Sequence, residues 1–131
     1  MAKPISPASM PTPFSNYNHA MLVPEGSQLL VSSGQLGIRA DGTIPADTAE
    51  QTRLCFASVK ALLEEAGMDL GDVVRINAYV TAREHMEPYM SVRNELFPAP
   101  YPASTLMIVS GFTKPEFHVE VEILAARETD G

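Results

Sequence analysis

Phe117-His118-Val119-Glu120-Val121-Glu122-Ile123-Leu124-Ala125-Ala126 alternates apolar and polar residues without a break from Phe117 to Ile123. Side chains of a strand point to opposite faces in turn, so Phe117, Val119, Val121 and Ile123 share one face and His118, Glu120 and Glu122 share the other. Such a strand is buried on one side, and the rest of the chain must supply the layer that covers it. The polar side has two readings. On solvent it is ordinary surface; against another subunit, a row of ionisable groups is a site.

The covering layer lies upstream. Asp47-Thr48-Ala49-Glu50 has the spacing of a capping box, with the Asp47 carboxylate placed to accept from the amide three residues on. Behind it Thr52, Cys55, Phe56, Val59, Leu62, Leu63 and Ala66 recur at helical intervals and form one apolar stripe. Gly67 follows where a helix ends in a positive-φ residue. Val73–Thr81 alternates again, with Val74, Ile76, Ala78 and Val80 on one face and Val73, Arg75, Asn77 and Tyr79 on the other. A second helix is predicted from about Glu84 to Phe97, with Pro88 tolerated in its first turn and Pro98 and Pro100 stopping it. Leu106–Ser110 reads as a strand, Gly111–Glu116 as a turn, and Phe117–Ala126 as the last strand.

Toward the N-terminus, residues 1–16 carry Pro4, Pro7, Pro11 and Pro13 and read as an extended arm. Strands at His19–Val23 and Leu29–Gln35, joined by the Pro24-Glu25-Gly26 turn, look like a hairpin. Gly34 breaks the second of them, where a bulge or a close backbone approach is expected. The order is β-β-α-β-α-β-β in one domain spanning 1–131, an α+β architecture with two helices on one face of a mixed sheet. The other sheet face, which includes Val73, Tyr79 and Leu124, is too apolar to stay wet. A homo-oligomer that hides it is expected.

Composition narrows the function. The chain has 131 residues, 45% hydrophobic and 19% charged, and a net charge of −7. Its nine basic residues are scattered, which disfavours nucleic-acid partners, since phosphate backbones need clustered Lys and Arg. Cys55 is the only cysteine and lies in the apolar stripe of the first helix, as a small core residue would. No leader-like h-region and no bilayer-length apolar run occur, so a cytoplasmic location without membrane partners is expected. His19, His85 and His118 have no ligand-like spacing, and neither a metal nor a cofactor is expected.

Several short stretches, taken together, resemble the Rid (reactive intermediate deaminase, YjgF-like) family. They are Ser15-Asn16-Tyr17-Asn18-His19-Ala20, Val31-Ser32-Ser33-Gly34-Gln35, Leu63-Glu64-Glu65-Ala66-Gly67, Gly71-Asp72-Val73-Val74 and Val119-Glu120-Val121-Glu122, in family order along nearly the whole chain. The resemblance implies a chorismate-mutase-like fold and a homotrimer whose sheets form an inner barrel, with clefts for a small-molecule substrate at the subunit interfaces. It further implies hydrolysis of imines and enamines. Tyr17 would close the cleft, the Gly34 amide would meet a ligand oxygen, and Glu120 would hold or activate the attacking water.

One residue departs from the family pattern. Where family members carry an arginine after Pro-Ala, this chain reads Pro102-Ala103-Ser104-Thr105, so Ser104 stands in the place of the group that grips a substrate carboxylate. A serine hydroxyl offers one neutral hydrogen bond where arginine offers a charged fork. The expected substrate is therefore a C=N compound other than a standard 2-imino acid, bound by Ser33, Gly34, Ser104, Thr105 and Leu106. Arg93 or Arg39 is a substitute source of charge, although each reads first as an exposed helix or loop arginine. The alternative is a non-catalytic trimer that binds small molecules or proteins, and a third reading, ribonuclease activity, finds little support in the acidic charge.

Overall fold

The computed structural model describes residues 1–129. Helix α1 (Thr48–Glu65) begins where Asp47 accepts a hydrogen bond from the Glu50 amide at 3.0 Å, an N-cap worth about 1 kcal/mol. It ends before Gly67, whose φ of 74° is cheap only without a Cβ. Its buried face carries Cys55, Phe56, Val59 and Leu63 but begins earlier than the apolar pattern indicated, at Thr48 and Gln51. Leu62 and Ala66, assigned to the stripe, are exposed instead, because the buried face follows the line Thr48, Gln51, Thr52, Cys55, Phe56, Val59 and Leu63 and leaves both outside it. Fully buried Gln51 is matched group for group: its amide donates to the Pro45 and Glu116 carbonyls at 2.9 Å, and its oxygen accepts from the His118 amide at 2.8 Å.

The strands are β1 (Lys3–Ile5), β2 (Ala20–Leu22), β3 (Ser27–Val31), β4 (Gln35–Leu36), β5 (Val73–Val80), β6 (Ala103–Ile108) and β7 (Val119–Glu128). The main sheet runs β3-β7-β5-β6, and β4 continues the β3 side against β7. The stretch that opened the sequence reading thus lies inside the sheet, antiparallel to β3, β4 and β5. Strands β5 and β6 are parallel and are joined through α2 (Met86–Leu96), which follows a 3-10 turn at Arg83–His85. Val119, Val121, Ile123 and Ala125 of β7 and Ile76, Ala78 and Val80 of β5 meet α1 and α2 in one core. Phe56 packs against Tyr89 and Phe97 there, with ring centroids 6.0 and 5.3 Å apart.

Three expectations are corrected. Strands β2 and β3 do not form a hairpin: β2 pairs antiparallel with β1 in a separate two-stranded sheet, and β3 pairs with β7. The cause is β1 itself, which the arm supplies although Pro4 cannot donate to a ladder; a two-stranded edge tolerates that loss. Second, β6 starts at Ala103 rather than Leu106, since parallel pairing with β5 accepts the polar Ser104 and Thr105. Third, strand ends shift: β7 begins at Val119 and runs to Glu128, while Phe117 is buried from the preceding turn. Val73, expected on the uncovered face, lies in the core because the pairing with β7 shifts register between Val73 and Arg75.

The face of the sheet away from the helices is apolar at its β3 edge. Leu29 and Val31 are 60% and 71% exposed there, and Met107 of β6 is half exposed at the other end. Between them runs a polar row in which Tyr79 donates to Glu122 at 2.6 Å, Arg75 donates to the Asn77 oxygen at 2.9 Å, and Arg75 also reaches Thr105 at 2.9 Å. Among the described residues, no helix is long and apolar enough to cross a membrane.

Candidate functional site

Glu120 lies on the open face of β7, opposite Tyr79 of β5 and Leu36 of β4. Val31 pairs with Leu124 and Gln35 with Val121, so Ser32, Ser33 and Gly34 oppose only Glu122 and Ile123. This is the bulge expected at Gly34, and Ser32 stitches it down by accepting from the Ile123 amide at 2.9 Å. The bulge lays the Gly34 backbone against the Glu120 side chain: a Cβ at position 34 would lie 2.5 Å from the Glu120 carboxyl carbon and 2.6 Å from Oε1. Glycine is the residue that permits this approach.

Glu120 and Glu122 of β7 differ. Glu122 is occupied by the Tyr79 hydroxyl and, at 3.4 Å, by the Asn77 amide. Glu120 accepts no side-chain hydrogen bond from the described residues, and its carboxyl is raised above its ordinary value, first by burial and then by the negative charge of Glu122. A carboxylate in that state can take and return a proton.

A second group gathers on the helix side of β6. Tyr17, Arg93, Ser104 and Leu106 line a cavity of about 230 Å³ together with Phe14, Ser15, Met86 and Met90. The segment Phe14–His19 is held there by Asn18, whose amide donates to the Tyr101 carbonyl at 2.6 Å. Tyr17 stands edge-on between Phe14 and His19. Arg93 is not an exposed helix arginine: it is 4% exposed, lies over the Tyr89 ring, and donates to Ser104 Oγ at 3.3 Å and Ser15 Oγ at 2.9 Å. Arg39, by contrast, is exposed and reaches Glu50 and Thr43.

The residues singled out from the sequence therefore fall into two sets. Glu120, Gly34 and Ser33 belong to the open face and its bulge, while Tyr17, Arg93, Ser104 and Leu106 belong to the helix-side cavity. Strand β5 lies between β7 and β6, so one copy of the chain does not unite the two sets. Thr105 points away from Ser104, as successive strand residues must, and accepts from Arg75 on the open face. Ser15, Phe14, Met86 and Met90 carried no role in the sequence reading, and nothing in their spacing signals that α2 and the arm meet over β6.

His85 and His118, remote in sequence, also come together. Their rings stack with centroids 4.2 Å apart, and both Nδ1 atoms contact Thr48 Oγ1, at 2.8 and 3.0 Å. Burial and then the neighbouring His85 lower His118 below its ordinary value. One hydroxyl donates once, so one ring receives the Thr48 proton and the other donates its own to the Thr48 oxygen.

Comparison with known proteins agrees with this architecture. The family model described as Endoribonuclease L-PSP matches residues 7–127. The chain is 33% identical to the RutC family protein YjgH of Escherichia coli K12 over 89% of this chain and 90% of that one. It is 27% identical to the 2-iminobutanoate/2-iminopropanoate deaminase of the same organism, covering 97% of this chain and 99% of the other. Among solved structures, a Rid family protein from Yersinia pestis superposes with a TM-score of 0.81 at 24% identity, over 96% of this chain and 98% of that chain. E. coli TdcF with bound serine superposes with a TM-score of 0.73 at 28% identity, over 96% and 99%. With a match running from residue 7 to residue 127, this chain belongs to the Endoribonuclease L-PSP family, which takes in the Rid and RutC proteins.

Proposed function

We propose that the chain is a Rid-type hydrolase that adds water to the C=N bond of an imine, or of an enamine after tautomerisation, in clefts between copies of a homotrimer. The observation that carries this is the Glu120 carboxyl, raised above its ordinary value, laid over Gly34 and accepting no hydrogen bond from the described residues. Its complement, the cavity around Tyr17 and Ser104, lies on the other side of the sheet edge, so a neighbouring copy is the natural source of the second half. The exposed Leu29 and Val31 give the copies an apolar face to bury. The names of its relatives, an iminobutanoate/iminopropanoate deaminase and a serine-bound TdcF, fit a small polar substrate.

In this scheme Glu120 takes a proton from water as the oxygen attacks the carbon of the protonated C=N bond. A tetrahedral carbinolamine forms. Glu120 then passes the proton to nitrogen. As the C–N bond breaks, the carbinolamine hydroxyl gives its proton to the Glu120 carboxylate. A carbonyl compound and ammonia leave, and that proton is lost to solvent. A carboxyl raised above its ordinary value is a stronger base for the first step and lies closer to neutral pH, where one group can serve in turn as base and acid.

The test is hydrolysis of imines generated in situ by an amino-acid oxidase, read as ammonia release with wild type and Glu120→Ala. We expect the variant to lose about a hundredfold or more in rate, the ordinary contribution of a positioned acid–base group. A Glu120→Ala protein as fast as wild type removes the assignment. The endoribonuclease description of the family model is answered by incubating nuclease-free protein with RNA, which we expect to remain intact given the net charge of −7.

A further inference from the structure

Tyr79 has two carboxylates within reach and bonds only one. On β5 it pairs directly opposite Glu120, while Glu122 pairs opposite Asn77. Across an antiparallel pair, a long aromatic side chain reaches its diagonal neighbour as well as its opposite one. The Tyr79 hydroxyl takes the diagonal and donates to Glu122 Oε1 at 2.6 Å. That is the length of an O–H···O⁻ bond, so Glu122 enters it as the anion. The bond in turn holds the Tyr79 hydroxyl above its ordinary value, and Tyr79 remains a donor at neutral pH.

The rest of the polar row points the same way. Arg75 donates from Nε to the Asn77 oxygen and from Nη2 to Thr105, each at 2.9 Å. With its oxygen engaged by Arg75, Asn77 turns its amide nitrogen to Glu122, at 3.4 Å. None of these three residues of β5 donates to Glu120. Few other groups can act on Glu120. Its titratable and charged surroundings are Glu122 on its own strand, Tyr79 and Arg75 on β5, and the buried Cys55 of α1. Residues 32–36, which form the bulge and β4, contain no titratable side chain. His118, two positions earlier, is turned to Thr48 and His85. Glu122, about 7 Å along the same face, is thus the fixed negative charge beside Glu120.

From this row we infer that Glu122, pinned by Tyr79 and Asn77, is a positioning residue for the chemistry assigned to Glu120: it stays an occupied anion and leaves Glu120 as the carboxyl that exchanges a proton. Without the pins, two neighbouring carboxyls on one strand face would titrate as a coupled pair and divide the proton between them. As a statement about catalysis, the inference rests on the hydrolase reading above; as a statement about which carboxyl carries the proton, it stands separately.

The experiment follows the Glu120 carboxyl of the full-length protein by NMR, with carbon-13 in the glutamate side chains and at low ionic strength; Glu120→Gln assigns the signal. Glu122→Gln keeps an acceptor for Tyr79 and removes the charge. It should lower the Glu120 midpoint by at least about 0.4 pH units, which a unit charge about 7 Å away gives even in bulk water. Tyr79→Phe keeps both carboxyls and removes one donor, and it should broaden the Glu120 curve as the proton becomes shared. The acid limb of kcat/KM for imines generated in situ should move to lower pH in Glu122→Gln. An unmoved Glu120 midpoint in Glu122→Gln overturns the inference, and so does a Tyr79→Phe curve as narrow as that of wild type. A row that served packing alone would give both of those results, with a lower melting temperature besides. Titrations that change as expected in a protein that hydrolyses no imine would refute the hydrolase reading and leave the carboxyl pair standing. Imine hydrolysis whose acid limb stays in place in Glu122→Gln would do the reverse.

Discussion

Gly34→Ala isolates the geometry on which the Glu120 assignment depends. An alanine Cβ at this position would lie 2.5 Å from the Glu120 carboxyl carbon, 2.6 Å from Oε1 and 2.8 Å from Cγ, whereas ordinary contact begins near 3.4 Å. The carboxyl must therefore retreat by about 1 Å, a displacement that costs on the order of a hundredfold in rate when the displaced group is aligned for catalysis. The clash is with the end of a half-buried, flexible side chain, and φ at Gly34 is not in the left-handed region, so the backbone need not yield. The stability cost should stay below about 1 kcal/mol, less than the overpacking of a closed core. The assay pairs ammonia release from in situ imines with a urea unfolding curve. A fall in kcat of about a hundredfold with a nearly unchanged midpoint supports the reasoning. Wild-type turnover in a folded Gly34→Ala protein would refute it, and so would a large loss of stability, which would mean that the bulge and not the carboxyl had given way.

Three other predictions follow from charge and exposure. Because the Glu120 carboxyl is raised above 4.5 in the folded chain, the native state favours its protonated form; the stability this gives is present below about pH 4.5 and is lost as pH rises through the native value. Glu120→Gln should therefore gain in melting temperature relative to wild type across that interval, and parallel pH–Tm curves for the two proteins would contradict the shift. His118 is shifted the other way, below 6.5, so its contribution is present above that pH and is lost as pH falls through the native value. His118→Asn should flatten the acid-side fall in Tm just below pH 6.5, and an unchanged slope would show that other groups cause it. Val31→Asp, which places a charge on the exposed apolar edge of the sheet, should dissociate the proposed trimer in sedimentation and abolish imine hydrolysis, whereas a monomeric wild type would end that proposal.

Much of the fold is local and so was written into residue order. The alternation of β5 from Arg75 onward and of β7 from Val119 onward, the Asp47 cap and the Gly67 stop depend on neighbours within a few positions and appear where the pattern placed them. The bulge at Gly34 was also legible, because a glycine inside a strand has few other uses. Pairing was not. Strands β2 and β3 looked like a hairpin because they are adjacent, yet β2 joins the arm and β3 joins β7, a choice made by long-range contacts that no local pattern encodes.

The candidate site divides along the same line. The sequence by itself identified the polar face of β7, singled out Glu120 and Gly34 as candidate site residues, pointed to the family, and showed Ser104 after Pro102-Ala103. Only the tertiary structure decided that Glu120 and Glu122 differ, one free and one bound to Tyr79, since their strand environments are alike until β5 is placed beside them. It also decided that Arg93 is buried behind Ser104 rather than exposed on its helix. A charge borne on α2 and a hydroxyl borne on β6 are separated by a turn and a strand boundary, and no periodicity relates them. Their meeting is a product of how the helix packs on the sheet.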